Sequence, residues 1–243
     1  MSAPAAPSPI QILRYGEISL EGQFLWGSNY TFLTQIQWEG VTLKGVYKPT
    51  KGERPLWDFP PATLAHREVA AYLVSKALGW NFVPPTVYRT QAPAGRGSLQ
   101  LFVDHNPELH YFQFTAQQRA QLGQVALFDL LINNADRKGG HILLGNDGKF
   151  WLIDHGVCFH EEDKLRTVVW DFAGQPIAAQ DTATLQIFAK KLTAPNSKLV
   201  AMLGKHLNPA EIAALQTRAE WLGTLTHYPN PPSNRRAIPF PPV

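Results

Sequence analysis

The chain has 243 residues, of which 44% are hydrophobic and 17% are charged, and this composition predicts a folded protein with a substantial core. A net charge of +3, with Lys and Arg scattered along the chain, does not favour a nucleic-acid-binding protein. The single cysteine, Cys158, excludes an internal disulfide framework, and no apolar run is long enough to span a bilayer. The first residues lack the features of a secretory signal, so we expect a cytoplasmic protein.

The first part of the chain predicts a disordered N-terminus over residues 1–9 and a strand-rich lobe over residues 10–104. Alternating apolar residues and turn signals predict strands over residues 18–25, 30–38, 41–48 and 99–103. Thr63 is expected to cap a helix from Leu64 to Leu78, which Gly79 closes. The polar segment 104–107 then predicts a hinge between two lobes.

The second part of the chain predicts a mainly helical lobe over residues 105–228 and a Pro-rich extended tail over residues 229–243. Apolar periodicity predicts helices from Thr115 to Ile132, over residues 181–192 and over residues 209–225. Residues 155–180 carry little periodicity and predict a long irregular connection.

A β-hairpin is predicted within the helical lobe, because a turn of Asn, Asp and Gly separates two apolar runs at residues 142–144 and 150–153. If Leu144 faces Lys149, His141 lies opposite Leu152, close to Asp154 at the open end. Asp136 precedes His141 in a Gly-containing loop that can fold back over this end. Two carboxylates and an imidazole would suit a divalent cation and a phosphoryl group, which a kinase requires.

Two further residues complete the set that phosphoryl transfer needs. Lys48 lies at the end of a predicted strand, where its ammonium group could reach nucleotide phosphates. Glu68 lies in the following helix, where it could pair with Lys48 and fix its position. Taken singly, each has an ordinary structural explanation; their joint order along the chain favours a nucleotide site. Asp129, by contrast, is expected to be a structural hydrogen-bonding partner.

These residues resemble the protein-kinase-like fold, most of all its atypical branch of phosphatidylinositol 3-/4-kinases and HipA-type kinases. The segment Asn134–Arg137 is similar to their catalytic loop, and Asp154-His155-Gly156 stands where they have Asp-Phe-Gly. Residues 47–60 together with the following helix resemble a bacterial family that is phosphatidylinositol 3-/4-kinase-like. The resemblance implies an α+β, two-lobed protein-kinase-like fold, with a strand-rich N-lobe and a mainly helical C-lobe, that binds ATP and Mg²⁺ between the lobes.

The resemblance also implies roles for individual residues. Asp136 and Lys138 would be catalytic, while His141 and Asp154 would bind the metal. The expected nucleotide-binding residues are Ser28, Asn29, Lys48, Glu68, Gln100, Phe102 and Val103. His141 departs from the family pattern, which has Asn there; because imidazole suits softer metals than Mg²⁺, Mn²⁺ is an alternative. The segment Trp26-Gly27-Ser28-Asn29 contains one glycine, which departs from the glycine-rich phosphate loop of ordinary kinases.

Three functions therefore stay open at the level of sequence. The first is an ATP- and Mg²⁺-dependent kinase that transfers the γ-phosphate to an alcohol group of an unknown acceptor, which is a small molecule, a protein or a lipid. The second is a pseudokinase that binds nucleotide or only a partner, which His141 and the glycine-poor loop motivate. The third is transfer of AMP rather than the γ-phosphate.

Overall fold

The computed structural model describes residues 6–23 and 30–243. The strands are β1 (Glu17–Gln23), β2 (Phe32–Trp38), β3 (Val41–Pro49), β4 (Thr86–Arg89), β5 (Gly97–Leu101), β6 (Ile142–Leu144) and β7 (Phe150–Leu152). The helices are α1 (Pro9–Tyr15), α2 (Leu64–Leu78), α3 (Ala116–Arg119), α4 (Gly123–Ile132), α5 (Ala179–Thr193), α6 (Lys198–Leu203) and α7 (Pro209–Leu222). A strand-rich lobe followed by a mainly helical one confirms the predicted α+β, two-lobed fold, while the exact lobe boundaries stay predictions.

The N-lobe is built on a five-stranded antiparallel sheet with the order β1-β2-β3-β5-β4. One face of the sheet buries Tyr47 and Leu99 against Ile12 and Leu13 of α1. Side chains alternate between the two faces of a strand, so Lys48, next to Tyr47, points to the opposite face. Packing on one face thus presents Lys48 towards α2 and the C-lobe.

Helix α1 and strand β4 were not predicted from the sequence. Helix α1 begins at Pro9, inside a segment rich in Ala, Pro and Ser, and is only seven residues long. Strand β4 has four residues and directly follows Pro84-Pro85. Both elements are too short to show a clear period, and their burial in the N-lobe core stabilises them instead.

Helix α2 has the predicted bounds, and Gly79 closes it in a left-handed conformation with φ of 79°. Thr63 does not cap it with its side chain, contrary to the prediction. The carboxylate of Glu53 does so, because it accepts hydrogen bonds from the backbone N–H groups of Leu64 and Ala65 at 3.3 Å and 2.9 Å. A distant carboxylate satisfies these helix donors, and the helix dipole favours its negative charge.

The C-lobe core forms around α4, and α2 packs into it from the side of the N-lobe. Ala70, Ala71 and Val74 of α2 are fully buried in one cluster with Leu127 and Phe128 of α4. Helices α5 and α7 pack against each other on the same core. Helix α2 is therefore held rigidly between the sheet and the helical lobe, which fixes the direction of Glu68.

The single helix predicted from Thr115 to Ile132 is divided into α3 and α4. The backbone tightens after α3, where the N–H of Gln121 bonds to the carbonyl of Gln118, three residues back. The apolar period continues across this break, so the periodicity alone does not reveal it. Helix α7 likewise ends at Leu222, before the predicted position.

The β6–β7 hairpin forms as predicted, but its register differs by one residue. Leu144 pairs with Phe150, while Lys149 accepts a hydrogen bond from the N–H of Gly145 at 2.9 Å. The turn has three residues rather than four because Gly148 takes a left-handed conformation with φ of 75°. His141 consequently lies opposite Ile153, not Leu152, and so one position nearer to Asp154.

The tail after α7 folds back onto the C-lobe and is not a free extension. The N–H of Thr167 bonds to the carbonyl of Ala237 at 3.0 Å, and the N–H of Gly139 bonds to that of Pro242 at 2.8 Å. Residues 155–178 are irregular, as predicted. Within the part of the chain that the structure describes, no helix is both long and apolar enough to cross a membrane.

Candidate active site

Lys48, Glu68 and Asp154 meet where the N-lobe sheet, helix α2 and the hairpin converge. The Lys48 ammonium donates to the Glu68 carboxylate and, at 3.0 Å, to Oδ1 of Asp154. Glu68 has a side chain only 4% exposed, whereas that of Asp154 is 50% exposed, so the cluster is buried on one side and open on the other. The structure thus brings together three residues predicted to act jointly.

The charges in this cluster stabilise one another. Burial alone would lower the pKa of Lys48, but the carboxylates of Asp154 and Glu68 raise it above its usual value. The same Lys48 charge holds the pKa of Asp154 well below its usual range. Both groups therefore stay ionised at neutral pH.

Asp154 adopts a left-handed backbone conformation with φ of 59°. Asp tolerates this conformation better than most residues, although it remains unfavourable for a side chain other than Gly. Strain of this kind persists where the surrounding structure imposes it, often at functional sites. The conformation aims the Asp154 carboxylate at both Lys48 and His141.

Asp136 and Lys138 lie side by side in the loop after α4. The Lys138 ammonium is 3.6 Å from Oδ2 of Asp136. The side chain of Asn134 fixes the loop, because its Oδ1 accepts the N–H of Asp136 at 2.9 Å. Burial raises the pKa of Asp136 to about 6, against the opposing charge of Lys138. A carboxylate with a raised pKa that is still ionised at pH 7 suits a general base.

His141 faces Asp154 across the hairpin mouth, with its Nε2 3.3 Å from Oδ2 of the carboxylate. Its Nδ1 is 3.0 Å from the carbonyl oxygen of Asp136, so we assign the proton to Nδ1. Burial lowers the pKa of His141 to about 4, and the ring is therefore neutral. The lone pair of His141 Nε2 then points at Oδ2 of Asp154, so two hydrogen-bond acceptors face each other. A cation bound by both atoms would remove their repulsion.

The donor set of His141 and Asp154 fits a divalent cation that completes its shell with phosphate oxygens and water. Among the described residues, no three His, Cys, Asp or Glu side chains form a metal-binding group. Mg²⁺ in kinases is commonly held by one or two protein ligands together with substrate phosphates. Two protein donors therefore suffice for a metal that arrives with a nucleotide.

Arg137 organises the site from beneath and was missed by the sequence analysis. Its guanidinium is fully buried and donates to Oδ1 of Asp129 at 3.0 Å and to the carbonyl of Ile153 at 2.9 Å. Nη2 lies 2.8 Å from Nε2 of the buried His155. Asp129 is the structural hydrogen-bonding partner that the sequence predicted. A carboxylate on an apolar helix needs a buried cation nearby, and this requirement could have pointed to Arg137.

Three other predicted nucleotide-binding residues lie outside the charged cluster. Gln100 pairs across the sheet with Val46 and uses its side-chain amide to donate to Thr86 at 2.9 Å. Phe102 and Val103 belong to the segment between the lobes, where the Val103 carbonyl lies 2.7 Å from Nδ1 of His105. Their nucleotide contacts stay predictions. The predicted contacts of Ser28 and Asn29 lie outside the described residues.

A cavity of about 370 Å³ opens beside Asp136 and Asp154. Phe59 and Leu64 form part of its wall, and the tail contributes Pro239 and Phe240. Its charged lining residues are Arg54, Asp58, Asp136, Asp154, Arg166 and Arg236. No local signal in the sequence brings Arg54, Arg166 and Arg236 together, because all three reach the cavity through the tertiary fold.

Sequence comparisons find known proteins that are similar to this chain. A sequence model of the family described as phosphatidylinositol 3- and 4-kinase matches residues 58–190. The Mycobacterium tuberculosis protein Rv2133c is 41% identical over 95% of this chain and 94% of its own length. The rice phosphatidylinositol 4-kinase gamma 4 is 35% identical over 44% of this chain, which corresponds to 22% of that kinase.

Among solved structures, the Helicobacter pylori proinflammatory kinase CtkA matches 88% of this chain and 99% of its own, with a TM-score of 0.43 and 12% identity. A likeness of this size does not bear on activity. The family match covers more than half of the chain, and the mycobacterial relative aligns over nearly all of it. The chain belongs to the phosphatidylinositol 3- and 4-kinase family and is a phosphotransferase of the kinase type.

Proposed function

We propose that the protein transfers the γ-phosphate of ATP, in the presence of Mg²⁺ or Mn²⁺, to a hydroxyl group of a small anionic acceptor. The observation that carries this proposal is the contact of the Lys48 ammonium with both Glu68 and Asp154 beside a cavity that contains Asp136. The three charged residues come from distant parts of the chain. An ATP-dependent kinase needs this combination of a cation that binds phosphate, a carboxylate that holds the cation in position, and a metal ligand.

The proposed reaction is an in-line displacement. Lys48 would neutralise the α- and β-phosphates, and Lys138 would neutralise the transferring phosphoryl group. Asp136 would accept the proton of the acceptor hydroxyl as the new bond to phosphorus forms and the bond to the ADP oxygen breaks. Asp154 and His141 would hold the divalent cation, which supplies further charge neutralisation on the phosphates.

The size and charge of the cavity beside Asp136 support a small anionic acceptor. A volume of about 370 Å³ lies at the lower end of ordinary ligand pockets. Three arginines, Arg54, Arg166 and Arg236, line it, and guanidinium groups bind phosphate and carboxylate through paired hydrogen bonds. The headgroup of an inositol lipid, the substrate that the names of the plant relatives indicate, has this character.

A single experiment tests the proposal. The purified protein is incubated with γ-labelled ATP, Mg²⁺ or Mn²⁺, and either dioctanoyl phosphatidylinositol or a pool of small phosphorylated alcohols. Mass spectrometry then identifies whether phosphate or AMP is transferred. Asp136→Asn is expected to lower turnover by about 10²-fold or more with ATP affinity nearly unchanged, whereas Asp154→Asn should abolish metal-dependent ATP binding.

Glu161→Gln is the matched control, because Glu161 is an exposed carboxylate outside the cavity. Unchanged turnover in both Asp136→Asn and Asp154→Asn would remove these residues from the reaction. A product carrying AMP would instead establish nucleotidyl transfer. Thermal stabilisation by ATP without any transfer to the acceptors would favour a nucleotide-binding pseudokinase.

A further inference from the structure

A second, larger cavity lies along α2, and its lining is separate from that of the cavity beside Asp136. It is a groove of about 1050 Å³ between α1, α2, strand β4 and helix α6. None of the described residues that line this groove also lines the cavity beside Asp136. The groove is therefore a separate feature that the proposed phosphoryl transfer does not use.

The charge of the groove is one-sided. Its lining includes five cationic side chains, namely Arg14, Lys76, Lys191, Lys198 and Lys205. No aspartate or glutamate occurs among the described residues of the same lining. In a chain with 22 basic and 19 acidic residues, such a segregation of charge is not expected of an average surface. All five side chains are exposed, so together they make a positive potential at the mouth of the groove.

The floor of the groove is apolar. Val69, Val87 and Leu199 are buried there, while the partly buried Leu73 and the 43% exposed Met202 remain accessible. A methionine at an open apolar surface adapts its shape to different partners. Apolar side chains below a rim of cations can bind a ligand that has both apolar and acidic groups.

His206, which lines the groove, is held in place by His66. Nδ1 of His66, on α2, lies 3.0 Å from Nδ1 of His206, and His66 also stacks on Tyr88. This contact joins α2 to the segment after α6, so the groove has a fixed shape across the two lobes. A preformed concave site needs less ordering on binding than a mobile surface does.

We propose that this groove binds an acidic segment of a partner protein, with its carboxylates on the five cations and its apolar side chains on the floor. A folded or extended peptide can enter a concave groove, whereas a membrane surface is flat and would reach only the rim. Val69 follows Glu68 directly in α2, so the bound segment would pack on the helix that carries the Lys48 partner. The groove would thus connect partner binding to the active site.

The test uses a fluorescein-labelled peptide of twelve residues in which pairs of glutamate alternate with leucine and phenylalanine. A second peptide has lysine in place of every glutamate. Fluorescence anisotropy measures the binding of each peptide to the full chain at low and high salt. We expect the acidic peptide to bind, the basic peptide not to bind, and added salt to weaken the binding.

The double variant Lys198→Glu and Lys205→Glu reverses two charges of the groove. Lys198 is the first residue of α6, where a negative charge suits the helix dipole, so the fold should tolerate this change. We expect the acidic peptide to bind the variant at least about tenfold more weakly. Lys190→Glu is the control, because Lys190 is exposed on α5 but does not line the groove.

Three outcomes would overturn the proposal. The first is no binding of the acidic peptide at millimolar concentration, and the second is equal weakening by Lys190→Glu and by the double variant. The third is binding of phosphatidylserine vesicles, rather than the peptide, in a manner that depends on Lys198 and Lys205, which would make the groove a membrane contact. Unchanged thermal unfolding of the double variant shows that its fold is intact.

Discussion

The carboxylate of Glu68 accepts a hydrogen bond from the backbone N–H of His155 at 3.0 Å. Its other oxygen accepts from Lys48, so one buried side chain on α2 fixes both the N-lobe cation and the segment that follows Asp154. The bond holds the backbone next to the left-handed Asp154. Glu68 therefore does more than brace Lys48, which is the only role that its position in the sequence suggested.

The first prediction concerns Glu68→Gln, which keeps the size of the side chain and removes its charge. An amide can still accept from the His155 N–H but no longer balances the Lys48 ammonium. Lys48 should then pair only with Asp154 and bind phosphate less favourably. We expect about tenfold weaker ATP binding in calorimetric titration, with a modest fall in melting temperature.

The matched control for this variant is Glu220→Gln on the exposed side of α7, where the Glu220 carboxylate accepts a hydrogen bond from Gln216 at 2.9 Å. It should bind ATP as the wild type does. Equal ATP affinities in Glu68→Gln and the wild type would show that the Lys48–Glu68 pair does not contribute to nucleotide binding.

The second prediction concerns Arg137→Met, which removes one partner of a fully buried ion pair. Asp129 would keep the hydrogen bond from Thr167 at 2.9 Å but lose its countercharge. Breaking such a pair typically costs about 3–5 kcal/mol, because the remaining charge stays buried. Urea unfolding should show a loss of this size, whereas Arg14→Met, at an exposed position, should change the free energy of unfolding by about 0.5 kcal/mol or less.

Asp129→Asn combined with Arg137→Met checks the cause of the instability. The double variant leaves no buried charge at this position, so its loss should be smaller than the sum of the two single losses. Strict additivity would mean that Arg137 acts through its bonds to the Ile153 carbonyl and His155 rather than through Asp129.

Local signals in the sequence were sufficient for several elements. The bounds of α2 followed from its apolar residues and Gly79, because a left-handed glycine ends a helix whatever the tertiary context. The hairpin followed from its turn composition, and the order of Lys48, Glu68, Asp136 and Asp154 was enough for the fold. The helix and hairpin signals each lie in a short stretch of chain, whereas the four charged residues are far apart and only their order was used.

Other features depend on contacts between distant residues and left no local signal. Glu53 caps α2 from 11 residues away, and Gly139 bonds to Pro242 of the tail. The hairpin register depends on the length of its turn. The left-handed conformation of Gly148 makes the turn one residue shorter than predicted, and this shifts the register by one residue. Arg137 was missed because, in the sequence, it resembles any charged loop residue; only the tertiary fold shows that it is buried and paired with Asp129.

The third prediction concerns the metal preference that His141 confers. Imidazole favours Mn²⁺ over Mg²⁺ more than an amide oxygen does, so the wild type should bind ATP more tightly with Mn²⁺. His141→Asn should shift the ratio of the two apparent affinities towards Mg²⁺ by about tenfold. Thermal-shift titration with ATP and each metal measures this ratio without requiring turnover.

His227→Asn is the control for the metal experiment, because His227 is exposed and contacts Thr226 away from the site. It should leave the ratio unchanged. A ratio that is the same in the wild type and in His141→Asn would mean that His141 does not contact the metal, and that its ring only positions the Asp136 loop.

The last prediction concerns the effect of acid on the contact between His66 and His206. Burial lowers the pKa of both rings, and the facing His66 ring, 3.0 Å away, helps to lower that of His206 to about 4. Between pH 6.5 and 4 the unfolded chain therefore binds more protons at His206 than the folded chain does. This contribution to stability is present above pH 6.5 and is lost as the pH falls.

His206→Gln isolates this effect, since its amide can still bond to His66 but does not titrate. On going from pH 7.5 to pH 5, the wild type should lose about 1–2 kcal/mol more of its unfolding free energy than the variant. Urea unfolding at both values measures the difference, and other acid-sensitive groups such as His155 cancel because both proteins contain them. If the two proteins lost the same free energy, the His66–His206 contact would not be the acid-sensitive link between α2 and the C-lobe.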